Sequence, residues 1–239
     1  MADILDLIRA RHSARMPYDP DRPVSGDLLE RVLEAARWAP TAHNMQNYEV
    51  VVVDDRTRLE QIAAIRSEVS AEFIRENLAQ LSFSEEELRR KKVGILAGMF
   101  PPSWLDPDAG STRPEPAEHA FLGHAIASAP LLLVVLHDST RRAPASEGDV
   151  LGMMSLGCVM QNMWLMAQAL GISMQILSAM SGAHVEAELR RVLGFPPSYK
   201  VSFGARLGYP LQPPSPTLRV RRDSADFVHH NAYRSSWRA

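Results

Sequence analysis

A single cysteine, Cys158, stands in 239 residues, so no disulfide can form within the chain and no thiolate cluster can hold a metal. That usage suits a reducing cytoplasm. Charge of one sign is also lacking: 26 Lys and Arg face 28 Asp and Glu, for a formal net charge of -2. No whole-chain field therefore draws the protein to nucleic acid or to an anionic membrane, and the run Arg89 to Lys92, RRKK, reads as the solvated face of a helix. The opening residues, MADILDLIRARHSAR, place acidic groups at once and hold no apolar stretch ahead of a small-residue cleavage site, which predicts no secretory leader. Also missing are G-x-x-x-x-G-K-[ST], a G-x-G-x-x-G after a strand, H-E-x-x-H and G-x-S-x-G. Their absence argues against the common nucleotide folds, zincins and nucleophile-elbow hydrolases.

What is present is ordinary globular composition, 46% hydrophobic and 23% charged, in a length that suits one large domain or two small ones. The longest apolar stretch, Leu151 to Leu170, is interrupted by Gln161, Asn162 and Gln168, so a buried core helix is expected there and not a membrane span. Gly171 follows it at the position of a left-handed cap. Ile4, Leu5 and Ile8 recur at helical spacing, and Ser25 precedes a second helix that Pro40 closes. Glu49 to Val53 reads as a strand of a sheet covered on both faces, and Leu131 to Leu136 as a second buried strand. Met174 to Leu177 and Val201 to Leu207 supply further strands around a helix from about Ala183 to Leu193. Residues 56–98 are helical and charged in pattern, whereas Pro101 to Pro116 is rich in proline and reads as loop or lid. One domain over 1–239 is expected, helices around a single sheet in an α+β or α/β layer fold, with 66–118 as a lid excursion and 211–239 as a C-terminal extension.

Three features carry chemistry. Arg11-His12-Ser13-Ala14-Arg15 sets two guanidiniums and a hydroxyl close together near one end, and Arg219, Arg221 and Arg222 cluster near the other. Guanidinium forks suit phosphate because they make charge-assisted, often bidentate bonds, but a solvated surface explains either cluster equally well. The stretch from Pro40 to Tyr48, PTAHNMQNY, crowds polar side chains in front of a strand; it is either a turn that satisfies its own backbone or a binding site at a sheet edge. Ser155 in GMMSLG would serve a hydrolase only weakly, since it falls inside a helix. His119, His124, His229 and His230 lack the spacing of a metal site.

Taken together, four stretches resemble the nitroreductase family of flavin mononucleotide oxidoreductases. IRARHSARMPYD is similar to that family's N-terminal motif, AARWAPTAHNMQNYEVVVV to its stretch entering a strand, LGCVMQNMWLMAQALGISMQILSAM to its central interface helix, and LGFPPSYKVSFGARLGYP to its closing strand. Their order and spacing match over nearly the whole chain.

The resemblance implies a three-layer α/β/α form of the α+β class, with a mostly antiparallel sheet, helices on both faces and FMN at a homodimer interface. It implies that Arg11, Ser13, Arg219 and Arg221 hold the phosphate and ribityl chain, with His12 beside them. Arg15 would lie under the pyrimidine side near N1 and O2, where a fixed positive charge favours the reduced flavin. Pro40, Thr41, Asn44 and Gln46 would come from the neighbouring subunit, and the backbone at Leu177, Ser178 and Ala179 would face N5. Asn47-Tyr48 departs from the family's usual Pro-Trp, which would loosen the turn or reshape the pocket floor; His43 and Tyr48 could line the substrate side, with a packed Tyr48 as the alternative. The implied activity is ping-pong hydride transfer from NAD(P)H to a nitroaromatic, quinone or similar small acceptor, in the cytoplasm, without nucleic acid, membrane or metal. Flavin fragmentation, reductive dehalogenation and flavin binding without turnover remain alternatives on the same fold.

Overall fold

Leu131 to Leu136, introduced by Pro130, are apolar without a break, and each is at most 2% exposed. Such a run can exist only where a strand is covered on both faces. In a computed structural model of the chain, which describes residues 3–66, 71–99, 116–212 and 218–237, this run forms most of β4 (Leu131–Asp138). Alternation along the strand divides its side chains between two cores. Leu131, Leu133 and Val135 pack with Val32 and Ala36 of α2 (Gly26–Arg37) and with Leu156, Val159, Met163 and Ala167 of α7 (Val150–Ala169). Leu132, Val134 and Leu136 face the other way, onto Leu59 and Ile62 of α3 (Arg56–Ala63), Leu122 and Ile126 of α6 (Pro116–Ala127), and Val185 and Leu189 of α8 (Ala183–Leu193). Helices thus cover both faces of the sheet in three layers, the α+β arrangement expected.

β4 pairs antiparallel with β1 (Tyr48–Val53) on one side and with β6 (Tyr199–Gly208) on the other, and β6 pairs antiparallel with β5 (Ser173–Leu177). The order β1-β4-β6-β5 leaves β1 and β5 at the edges. β1 belongs, as its valine run suggests, to a sheet covered on both faces: Tyr48 and Val50 pack into one core and Val51 and Val53 into the other. Its position at the edge nonetheless leaves Glu49 and Val52 exposed. An edge strand has one neighbour, and its composition cannot report that.

α7 is long and apolar enough to cross a membrane, yet its residues at three- and four-residue spacing, from Ser155 to Ala167, face the sheet. Its amide Asn162 donates to the carbonyl of Ala35 in α2 at 3.0 Å. Gly171 follows the helix with a φ of 72°, a left-handed conformation that glycine adopts without strain. Ahead of α2, α1 (Ile4–Ala10) is capped by the Asp3 carboxylate and buries none of its residues.

Contacts divide the chain into two compact units, Met1–Ser67 with His119–Pro214, and Glu68–Glu118 with Ser215–Ala239. The first holds the three layers. The second contains α4 (Ala71–Leu81), α5 (Glu85–Lys91), the short parallel pair β2 (Ser82–Phe83) and β3 (Ile95–Leu96), and an ion pair between Lys92 and Asp223. α5 begins in a capping box of Ser84 and Glu87, and Arg89 and Lys91 pair with Glu85 and Glu87 one turn back. RRKK is therefore a solvated helix end. The proline-rich loop or lid expected from Pro101 onward lies, up to residue 115, outside the described residues; Pro116 opens α6.

Candidate functional site

Arg11 to Tyr18 leaves α1 and runs along the open edge of β5. The Ala14 N–H donates to the Met174 carbonyl at 3.2 Å. From α7, Trp164 Nε1 donates to the His12 carbonyl at 3.2 Å, and the Arg11 guanidinium stacks 4.4 Å from the centre of the Trp164 ring. Ala14 is buried and Arg15, next to it, is exposed, as alternation in an extended segment requires. Arg15 makes no hydrogen bond or ion pair among the described residues, and the surrounding protein pulls its pKa below the ordinary arginine value by desolvation. A partly desolvated guanidinium without an anion is a site ready for one. His12 adds a second open group: its Nδ1 faces the Ala10 carbonyl at 3.1 Å, while its Nε2 is buried without a partner.

The same strand ends at Leu177 and leads into Ser178 and Ala179. Leu177 is buried at the end of β5, paired with Gly204, and the chain then turns into a 3-10 stretch, Ser178–Ser181, on which Ser178 and Ala179 are exposed. Met174 and Leu177 are three residues apart, which is about 10 Å along a strand. The structure thus lines up the Arg11–Arg15 segment and the 178–179 turn along one sheet edge.

The turn from Thr41 to Asn47 lies elsewhere. Ser155, on α7, accepts a hydrogen bond from the Ala42 N–H at 2.9 Å and donates to Leu151 O at 2.7 Å. Nine residues separate Ser155 from Trp164, about 14 Å along the helix, so α7 fastens both segments at well separated points. Much of the turn's polarity is internal. Thr41 Oγ1 accepts from the Gln46 N–H at 3.3 Å, and Gln46 Nε2 donates to Asn44 Oδ1 at 3.0 Å. His43, Asn44 and Gln46 have φ of 50°, 53° and 47°, left-handed conformations that are costly for residues with a Cβ and that cluster at functional sites. Pro40, His43, Asn44 and Gln46 point to solvent. Asn47 and Tyr48 are structural: the buried Asn47 amide donates to Arg141 O at 3.2 Å, and the Tyr48 hydroxyl to Ala36 O at 2.9 Å. Arg219 and Arg221 belong to the second unit, where Arg221 donates to the neighbouring Val220 carbonyl.

Residues 8–209 match the sequence profile of the Nitroreductase family. The chain belongs to the nitroreductase family. Solved structures share its fold at low identity. Nitroreductase A of Vibrio parahaemolyticus is 19% identical with a TM-score of 0.63, over 98% of this chain and 78% of that one. A nitroreductase of Desulfitobacterium hafniense, solved with bound FMN, is 22% identical with a TM-score of 0.58, over 96% and 98%. An FMN-dependent nitroreductase of Clostridium difficile is 18% identical with a TM-score of 0.59, over 96% and 99%.

In this family member, Ser155 is no nucleophile candidate, because its hydroxyl is engaged on both sides inside a helix. Among the described residues no group of His, Cys, Asp and Glu is placed to hold a metal. Sequence reasoning missed Arg206. It is 1% exposed in the middle of β6, and its donors reach the carbonyls on either side of Arg15. The signal was available as one charge inside VSFGARLG, an otherwise apolar strand, but its partners come from three separate stretches of chain.

Proposed function

We propose that this protein binds FMN and, working as a homodimer in the cytoplasm, oxidises NADH or NADPH and reduces a nitroaromatic, quinone or related conjugated acceptor in alternating half-reactions. The observation that carries the reading is Arg15: a guanidinium with no anionic partner among the described residues, on the strand edge that also ends in the exposed Ser178 and Ala179. The buried, unpartnered His12 Nε2 fits a ligand that brings its own hydrogen-bonding groups.

FMN, when bound, supplies the hydride chemistry. The chain's part is to bind, orient and set charge. Arg11 and Ser13 would hold the anionic end of the cofactor, and Arg15 would place a fixed positive charge where negative charge develops. Leu177, Ser178 and Ala179 would present backbone at the reacting edge. Arg219 and Arg221 enter the proposal on the family resemblance alone.

Two exposed apolar surfaces support a second copy. α1 presents Ile4, Leu5 and Ile8, and the first turns of α7 present Val150, Leu151, Met153 and Met154. Contiguous apolar surface of this kind marks an interaction site. In such a dimer the solvent-facing Pro40, Asn44 and Gln46, with the half-buried Thr41, would serve the partner's cofactor, in keeping with their distance from Arg15 along α7.

The test is the visible spectrum of the purified protein, followed by titration of the apoprotein with FMN and anaerobic addition of NADH or NADPH. A flavin spectrum that bleaches with a nicotinamide and recovers with a nitroarene or quinone is expected. Failure to bind added FMN sinks the reading. Binding without bleaching by either nicotinamide leaves a flavin-binding protein, and slow nitroarene turnover favours fragmentation or dehalogenation on the same fold. Light scattering that reports a monomer would remove the dimer.

A further inference from the structure

Arg206 is the most completely engaged polar side chain among the described residues. Nε donates to Gln175 Oε1 at 2.7 Å, Nη1 to Ala125 O at 2.9 Å and Ser128 Oγ at 3.1 Å, and Nη2 to Ala14 O at 3.3 Å and Met16 O at 2.8 Å. These bonds occupy the five N–H groups that a guanidinium owns. No carboxylate is among the partners. Its other neighbour is the Tyr18 ring, 4.2 Å from the guanidinium carbon to the ring centre. Carbonyl dipoles, an amide, a hydroxyl and a ring face therefore hold a buried cation, which in turn satisfies acceptors that would otherwise be buried without donors. Stability explains a buried donor here; the choice of acceptors has a further reason.

Its Nη2 acceptors supply the reason. Ala14 O and Met16 O belong to the residues on either side of Arg15. The Ala14 carbonyl also accepts from the Tyr18 hydroxyl at 2.9 Å, and the Ala14 N–H is held by Met174. Tyr18 is itself fully buried, at a close approach that only a glycine allows: a Cβ on Gly208 would lie 3.0 Å from Tyr18 Cδ2 and 2.7 Å from Pro130 Cδ. The backbone before and after Arg15 is thus tied to β5, β6 and the end of α6, while the Arg15 side chain is left outside this net.

We propose that Arg206 is a positioning residue: it fixes the backbone on both sides of Arg15 and so aims that guanidinium at the anionic cofactor. The inference rests on the FMN reading above. It adds that the affinity and potential of the flavin depend on a residue that never touches it, and that this dependence passes through Arg15.

The experiment is a double-mutant cycle on the holoenzyme, with FMN dissociation constant, flavin midpoint potential and thermal midpoint of the apoprotein as readouts. Arg206→Lys keeps the charge and loses the fork. Expected is FMN binding weakened about tenfold and a lowered potential; in an Arg15→Gln background the same change weakens binding by less than about twofold. Equal fold-losses in both backgrounds, or a folded Arg206→Lys protein with wild-type affinity and potential, overturn the inference while leaving the FMN reading intact. If Arg206→Lys does not fold, Tyr18→Phe, which removes only the hydroxyl bond to Ala14 O, takes its place. A loss of about threefold that vanishes with Arg15→Gln supports the proposal, and an additive loss rejects it. Wild-type protein that binds no FMN rejects the reading and this inference together.

Discussion

The Arg11–Tyr18 segment and the Thr41–Asn47 turn both carry residues expected at a flavin, both are short, and both are fastened to α7, yet they are held by opposite means. The first is extended, has no left-handed residue, and is tied by a buried cation and a buried tyrosine. The second has three non-glycine residues at positive φ and is tied to α7 through one serine hydroxyl and to the end of β4 through Asn47. Backbone held by several buried bonds moves with the global fold, whereas backbone held by one or two can open locally. The difference suits their proposed tasks: a rigid anion contact in one protomer, and a turn that settles only when a partner arrives.

The largest effect should come from removing the anchor of the first segment. Arg206→Met keeps an unbranched side chain of similar length but leaves Gln175 Oε1 and Met16 O buried without the donors they have now. Unsatisfied buried groups of this kind sum to about 3–5 kcal/mol. Urea denaturation should report that loss, and a change below about 1 kcal/mol would mean the segment is not held as described. Ser155→Ala should cost less, about 1–2 kcal/mol, since it frees one N–H, that of Ala42, which lies close to solvent. Amide exchange at Ala42 should accelerate while that at Ala14 stays unchanged. Equal acceleration at both sites would break the contrast between the two regions.

What was legible in the sequence follows the same division. β4 and α8 fall where the patterns place them, because a run such as LLLVVL or a stripe such as Val185, Leu189 reports burial locally. The family motifs placed both candidate segments in chain order. The edge position of β1 was not legible, because it depends on which strand lies beyond it and not on its own valines. Nor were the anchors. Ser155 and Ala42 are 113 positions apart, and Arg206 meets Ala14 across 192. A serine in a helix and an arginine in a strand look like interruptions until the fold brings their partners to them. That Arg15 meets no carboxylate among the described residues is likewise a three-dimensional fact, since a sequence lists charges and not their neighbours.

The smallest expected effect is a local one, and it separates the two regions by pH. The turn leads into β1 through Asn47, whose amide depends on Arg141 O and whose carbonyl accepts from the Asp138 N–H at 3.0 Å. The loop 138–141 is shaped by Asp138 Oδ1, which accepts from the Thr140 hydroxyl at 2.6 Å and from the Thr140 N–H at 3.0 Å. The Thr140 hydroxyl and amide, aided by Arg141, hold the Asp138 pKa below the ordinary carboxylate value. A depressed carboxylate stabilises the fold above its unfolded pKa, and the contribution is lost as pH falls through its folded pKa, so the window lies below about pH 4. The anchors of the other segment do not titrate there: Tyr18 is raised by burial, and an arginine stays charged throughout. On acidification, the protection factor of the Asp138 amide should therefore fall before that of the Ala14 amide. Asp138→Asn, which cannot titrate, should abolish that lead. If Ala14 opens first in the unsubstituted protein, the N-terminal segment is the weaker of the two, and the ordering drawn from their hydrogen bonds is wrong.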